Sequence, residues 1–218
     1  MRTPFTVEQF FDVFASYNVA VWPAPVVAYL LGLLAVVLAF RGKAPSGRLI
    51  SGVLALFWFW MGLVYHLGHL RRINPAANLF GAFFILQGLL FLIDSYRGGL
   101  SFRPRQDPRS LAGAVLIIYS MLGYPLIGQA FGHFYPRAPM FGIAPCPTTI
   151  FTFGILLWTA KPVPCHLLAI PFLWSLIGTS AAVNLQVPQD YGLGIAGVAG
   201  TLLLAIGHRN RRGAQPDA

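Results

Sequence analysis

The chain contains about seven long apolar segments, and this pattern constrains its fold more than any other feature of the sequence. A membrane-spanning helix needs roughly 20 consecutive apolar residues to cross about 30 Å of hydrocarbon, and all segments but the fifth reach or approach that length. Pro162 and Pro164 closely follow the short fifth segment, so the span count is predicted to within one. The sequence predicts an all-α transmembrane bundle, forming a single domain over residues 1–218. The predicted spans are 22–41, 48–70, 76–96, 109–131, 147–160, 163–184 and 190–208.

The composition agrees with a chain whose solvent is lipid. Hydrophobic residues make up 56% of the sequence and charged residues 10%, whereas soluble domains carry roughly 25% charged residues. The net charge of +9 is a feature that nucleic-acid-binding proteins share. Here the basic residues are confined to connections and to the C-terminal tail, where they serve as topology signals. The predicted partner is therefore the lipid bilayer, and nucleic acid is excluded.

The basic residues also predict the orientation of the chain. Cytoplasmic connections of membrane proteins carry an excess of Lys and Arg. Eleven of the 15 basic residues fall in alternate connections, whereas Arg2, Arg71, Arg72 and Arg137 lie on the other side. This predicts a multi-pass protein of the bacterial inner membrane with a periplasmic N-terminus and a cytoplasmic C-terminus. The eleven are Arg41, Lys43, Arg48, Arg97, Arg103, Arg105, Arg109, Lys161, Arg209, Arg211 and Arg212.

A short amphipathic helix is predicted over residues 6–18, ahead of the first span. Thr6 and Gln9 have the spacing of a capping box, in which each side chain bonds to the other residue's backbone N–H. Phe10, Phe14 and Tyr17 recur at helical spacing, with the acidic residues off that stripe. Such a helix is expected to lie in the membrane interface rather than to span it.

Polar side chains concentrate near the predicted outer ends of the spans. His66 lies near the end of the second span, His133 follows the fourth, and Cys146 precedes the fifth. Imidazole nitrogens and a thiolate are suitable ligands for zinc or copper, so these three residues are candidate metal ligands. Tyr65 and Asp190 lie at the same end and are candidate ligand-binding residues. A polar cluster with a purely structural role, or a catalytic pocket, remains an open alternative.

Two other patterns carry little functional weight. Gly192, Gly194 and Gly197 match a dinucleotide-binding spacing, but no strand precedes them and they lie within an apolar span. Small residues at this spacing favour close helix packing instead. All acidic residues lie at span ends or in connections, whereas proton-coupled carriers usually bury a carboxylate within the membrane, so a carrier of that kind is disfavoured.

Several sequence blocks resemble a bacterial family of small multi-spanning membrane proteins, number sixty sixty-four of the domain-of-unknown-function series. The resemblance extends over nearly the whole chain and is most specific between GHFYP, which begins at Gly132, and PCPTTIFTFG, which begins at Pro145. It implies that His66, His133, Cys146 and the Gln189–Asp190 pair belong to the family's pattern. The family implies no activity.

The leading functional interpretation is a membrane protein that binds or moves a small ligand or a soft metal ion at its outer face. His66, His133 and Cys146 would be the ligands, with Asp190 supporting them. A second hypothesis is a membrane-embedded enzyme acting on a lipid or quinone, with His133 as base and Cys146 as nucleophile. A third is an accessory or assembly subunit without a ligand. The sequence does not indicate an oligomeric state.

Overall fold

A computed structural model describes residues 4–212 of the chain, with side chains up to Ile206 apart from that of Ala44. The described residues form nine α-helices and no β-strand, which confirms the predicted all-α class. Two stretches of π-helix interrupt the α-helical ladder, over Met61–His69 and Tyr119–Gly123. The helices are α1 (Val7–Ala20), α2 (Ala24–Arg41), α3 (Ala44–Trp60), α4 (Ala77–Arg97), α5 (Pro108–Ile118), α6 (Tyr124–Ala130), α7 (Pro145–Leu157), α8 (Cys165–Leu185) and α9 (Tyr191–Arg212).

Six helical segments in the described part of the chain are long and apolar enough to cross a membrane. They coincide with six of the seven predicted spans to within about three residues at each end. Their outer surfaces carry large apolar side chains, such as Leu30 and Phe40 on α2, which are 62% and 65% exposed. Apolar exposure on this scale is unfavourable in water but suits contact with lipid tails. The six segments are Ala24–Arg41, Pro45–Arg72, Ala77–Arg97, Pro108–Ala130, Cys165–Leu185 and Pro188–Ile206.

The predicted fifth span corresponds to α7, which differs from the other helices in length and burial. Its 13 residues extend about 20 Å, less than the hydrocarbon thickness of about 30 Å. Every residue of α7 except Cys146 is buried, and it packs against α5, α8 and α9. The preceding residues Phe141–Ala144 are buried as well. Non-helical backbone is tolerated at membrane depth where protein surrounds it, as it surrounds the flanks of this segment. Because α7 by itself is shorter than the hydrocarbon layer, a span count of seven stays a prediction.

Close backbone contacts and buried hydrogen bonds hold the bundle together. Lipid tails are as apolar as the protein interior, so small residues and polar contacts contribute much of the specificity between helices. α5 and α7 cross at Gly113 and Gly154, where an added Cβ on either glycine would lie 2.8–3.0 Å from the other's carbonyl oxygen. Near this crossing, the Trp158 indole N–H donates to the Ser110 carbonyl at 2.8 Å.

Helix α1 lies against one end of the bundle, which we call the α1 end. The predicted capping box is present: Thr6 Oγ1 accepts from the Gln9 N–H, and Gln9 Oε1 accepts from the Thr6 N–H. The Tyr17 hydroxyl donates to the Ile143 carbonyl, and the Asn18 amide donates to two carbonyls of the loop before α7. Glu8 and Asp12 are exposed, and Asp12 forms an ion pair with Arg137 at 2.8 Å. A location in the membrane interface stays a prediction for this helix.

Candidate functional site

A cavity of about 80 Å³ lies at the α1 end of the bundle, where several segments of the chain converge. Its walls are mostly apolar, and three residues that the sequence singled out, Tyr65, Cys146 and Asp190, line it. Phe10 and Phe14 of α1 contribute to the wall, so α1 forms part of its cover. A mostly apolar cavity with a few converging polar groups is the usual form of a small-ligand site in proteins.

The π-helical segment Met61–His69 positions Tyr65 at this cavity. A π-helix holds one more residue per turn than an α-helix, and such segments occur frequently at functional sites. The segment packs closely on α4, because a Cβ on Gly62 would lie 3.0 Å from the Gly81 carbonyl oxygen. Tyr65 is buried and its ring stacks on Phe14 with centroids 5.1 Å apart. The π-helical turn therefore links the end of the second span directly to α1.

The second π-helical segment, Tyr119–Gly123, supports the opposite side of the site. Pro125 follows it and has no N–H, so it cannot donate a helical hydrogen bond to the Met121 carbonyl. That carbonyl instead accepts a hydrogen bond from the Tyr29 hydroxyl at 3.0 Å. Tyr119 and Tyr124, which bound this turn, both reach the start of the last span. The Tyr119 hydroxyl donates to the Gln189 carbonyl at 2.7 Å.

Asp190 is the only acidic residue buried within the described part of the chain. It lies in a short 3₁₀ turn immediately before α9 and is 4% exposed. The Tyr124 hydroxyl donates to its Oδ1 at 2.5 Å, and the Cys146 thiol also hydrogen-bonds to this carboxyl group. These two donors hold the carboxyl group in one orientation toward the cavity.

Trp174 of α8 adds a further polar group to the wall of the cavity. Its side chain is 9% exposed, and its N–H is directed at the Cys146 sulfur, a weak acceptor. No oxygen or nitrogen of the described residues accepts a hydrogen bond from this N–H. A Cβ on Gly178 would lie 3.6 Å from both the Cys146 Sγ and the Trp174 Nε1, so both groups border the space above this glycine.

His66 lies beside the cavity, enclosed by aromatic rings. Its ring is fully buried, and its centroid lies 4.6 Å from that of Phe84 and 5.3 Å from that of Trp174. Neither ring nitrogen has a hydrogen-bond partner among the described residues. Burial of a polar group without a partner is unfavourable, and native proteins retain few such groups.

His133 lies on another side of the site. Its Nδ1 is 3.0 Å from the Gln189 amide nitrogen, and its ring packs on Phe11 with centroids 4.3 Å apart. Burial lowers the pKa of His133, and the hydrogen bond to Gln189 partly opposes that change. The imidazole therefore holds the Gln189 side chain next to Asp190.

The three predicted metal ligands do not form a group. Metal ligation places donor atoms roughly 3–4 Å apart, given bonds of about 2.0–2.3 Å. In the part of the chain that the structure describes, no group of three or more His, Cys, Asp or Glu side chains could hold a metal ion. His66 is enclosed by aromatic rings, His133 bonds to Gln189, and Cys146 bonds to Asp190. The zinc or copper hypothesis therefore has no geometric support among these residues.

Sequence reasoning missed two residues of the site, Tyr124 and Trp174. Both are polar aromatic residues inside apolar spans, where their hydroxyl or N–H group requires a partner. Tyr124 also precedes Pro125, which marks an interrupted helix. His69 has a separate, structural role, because its Nδ1 lies 2.9 Å from the Val64 carbonyl oxygen within its own segment.

The fold and the site define the class: a helical membrane protein with a small covered cavity at one end of its bundle. The chain belongs to the family of unknown function DUF6064, whose family model matches residues 7–215. This confirms the resemblance seen in the sequence blocks. No curated protein and no solved structure matches the chain.

Proposed function

We propose that this protein is a seven-span inner-membrane protein that binds a small ligand in the cavity at its α1 end. The observation that carries the proposal is the buried Asp190, which two donors orient toward a mostly apolar cavity. The basic residues favour a periplasmic location for this end, with the C-terminus in the cytoplasm. The site would then receive its ligand from the periplasm or from the outer leaflet.

An unsatisfied polar group favours ligand binding over a purely structural cluster. A structural cluster is expected to pair its buried donors and acceptors. Here the Trp174 N–H, at the wall of the cavity, is directed only at the Cys146 sulfur, a weak acceptor. A bound molecule would supply contacts that the folded chain does not provide. An accessory role without a ligand gives no reason for this arrangement.

The size of the cavity favours a small occupant. One water-sized group needs roughly 10–15 Å³ of such volume, so about 80 Å³ accommodates roughly five to eight non-hydrogen atoms. A complete lipid or a substituted quinone exceeds this size, although the ammonium end of a lipid headgroup does not. The enzyme hypothesis requires His133 as a base that contacts Cys146 as a nucleophile. Instead, the imidazole of His133 bonds to Gln189 and the thiol of Cys146 to Asp190.

The test fills the cavity from α8. Ala181 lines the cavity, so the larger side chain of Ala181→Phe should occupy the space. The matched control is Val183→Phe in the same helix, because Val183 is 63% exposed on the outer surface of the bundle. The probes are choline, butyrate and 3,3-dimethylbutan-1-ol, and the measurement is the unfolding midpoint in mild detergent. At least one probe should raise the midpoint of the wild type and of Val183→Phe but not of Ala181→Phe. Absence of any shift, or an equal shift in Ala181→Phe, would overturn the proposed function.

A further inference from the structure

We infer that the ligand of this cavity is an organic cation, namely a small alkylammonium group; this inference rests on the proposed function and specifies its ligand class. The group is either a free molecule or the headgroup of a lipid. Three features of the site support it: a buried carboxylate without a cationic partner among the described side chains, several aromatic rings in the wall of the cavity, and a helix terminus that offers few N–H groups.

The charge of Asp190 has no cationic partner among the side chains that the structure describes. No Lys, Arg or His side chain lies within 4.0 Å of its carboxyl oxygens among the described side chains; the surface pair Arg137–Asp12 lies elsewhere. The Tyr124 hydroxyl and the Cys146 thiol are neutral donors, and the N-terminus of α9 contributes only a partial positive charge of about 0.5. Buried charges in membrane proteins are normally paired. A cationic ligand would supply the missing charge.

Aromatic rings from separate segments line part of the same space. Phe14 and Tyr65 stack on one side, and Phe80 and Trp174 lie on another with centroids 5.4 Å apart. The faces of aromatic rings are electron-rich and attract cations, by about 2 kcal/mol or more where water is excluded, and quaternary ammonium ions are the best-known ligands of such aromatic cages. A carboxylate beside several rings is thus the combination that an alkylammonium group requires.

The α7 terminus bordering the cavity is poorly suited to anions. Helix N-termini normally bind anions through their free N–H groups. At α7, Pro145 and Pro147 remove two of these donors, because proline has no N–H. An anionic ligand would also face the carboxylate of Asp190 at close range. Butyrate is therefore expected to fail where choline binds.

Inorganic cations fit the site less well than organic ones. Hard cations such as Ca²⁺ and Mg²⁺ need about six oxygen ligands, and Asp190 supplies the only carboxylate among the described residues that line the cavity. The described residues contain no group of ligands for a softer metal. The apolar wall favours alkyl groups around the positive charge.

The experiment compares choline with 3,3-dimethylbutan-1-ol, which has the same shape but replaces the nitrogen by carbon. Dissociation constants are measured through ligand-dependent stabilisation in detergent. Choline should bind the wild type roughly tenfold or more tightly than the neutral analogue, given the strength of cation–π contacts in dry sites. Asp190→Asn should abolish this preference. Phe80→Leu keeps the carboxylate and should weaken the affinity for choline several-fold while leaving the affinity for the neutral analogue unchanged. This second variant keeps the inference testable if Asp190→Asn does not fold.

The outcomes separate the two proposals. Equal affinity for choline and its neutral analogue, with both lost in Ala181→Phe, would overturn the cation inference and leave the ligand site intact. Binding of no probe would overturn the proposed function itself. In nanodiscs, a choline effect that shrinks when phosphatidylcholine replaces phosphatidylglycerol would assign the site to a lipid headgroup, whereas an equal effect in both bilayers would assign it to a free cation.

Discussion

Substitution of Gly113 by alanine should destabilise the protein, although the same change stabilises most helices. Alanine is preferred to glycine in a helix interior by about 1 kcal/mol. Here the new Cβ would lie 2.8 Å from the Gly154 carbonyl oxygen and 2.9 Å from two atoms of the Trp158 ring. Neither obstacle moves easily, because one is backbone and the other is an indole fixed by its hydrogen bond to Ser110.

The expected magnitude follows from these two opposing effects. Overpacking a tight core costs about 1–3 kcal/mol, and two rigid contacts place Gly113 at the upper end of this range. After subtraction of the helix preference, the net loss is about 2 kcal/mol. The matched control is Gly52→Ala in α3, whose Cβ would meet only the Ser95 hydroxyl oxygen, at the ordinary van der Waals distance of 3.4 Å. The control should gain up to about 1 kcal/mol from helix preference alone.

The free energy of unfolding is measured by SDS titration in mixed micelles, followed by circular dichroism. The double variant Gly113→Ala with Gly154→Ala should lose less than the sum of the single changes, because one separation of α5 from α7 relieves both contacts. Should Gly113→Ala prove as stable as the Gly52→Ala control, the two helices are not in contact. The placement of α7, and with it that of Cys146 at the cavity, would then be wrong.

Two further predictions concern the ends of the spans. Asp107 caps α5 by accepting the Ser110 N–H at 2.6 Å, and this bond lowers the pKa of the carboxyl group. Asp107→Ala should therefore lower the free energy of unfolding by about 1 kcal/mol at pH 7. The difference between wild type and variant should vanish as the pH falls through the lowered pKa, because only the carboxylate is preferentially stabilised in the folded state. A difference in the free energy of unfolding that is independent of pH would refute this. A fluorescent reporter fused after Ala218 should be bright and a phosphatase reporter inactive, because the basic residues predict a cytoplasmic C-terminus; the opposite result reverses the orientation.

The spans could be predicted from the sequence because lipid imposes a single requirement, a long apolar run, on every one of them. The capping box at Thr6 and Gln9 was equally accessible, since it depends on residues three apart. Rotation of each helix about its axis is different, because neighbouring helices set it and hydropathy does not record it. His66, His133 and Cys146 therefore face different neighbours, which the sequence does not reveal.

The same distinction applies to Asp190 and to the π-helical turns. A carboxylate at a span end is usually solvated, and the sequence gives no sign that α1 and the loop before α7 cover this one. The extra residue in each π-helical turn rotates every side chain beyond it, so Tyr65 and Tyr124 reach the site only in that register. Pro125 is the one local signal of such an interruption, and the Met61–His69 segment contains no proline at all.

The short length of α7 accounts for the presence of a cavity at this place in the bundle. The helix extends about 20 Å, so roughly 10 Å of a 30 Å hydrocarbon layer is left along its axis. The buried residues Phe141–Ala144 fill part of this space, and Phe10 and Phe14 of α1 cover it from outside. Cys146, at the start of α7, therefore lies beneath the cover and within reach of Asp190. A bundle of uniformly long helices would fill this space with side chains, whereas a shortened central helix leaves room for a small ligand beside a buried carboxylate.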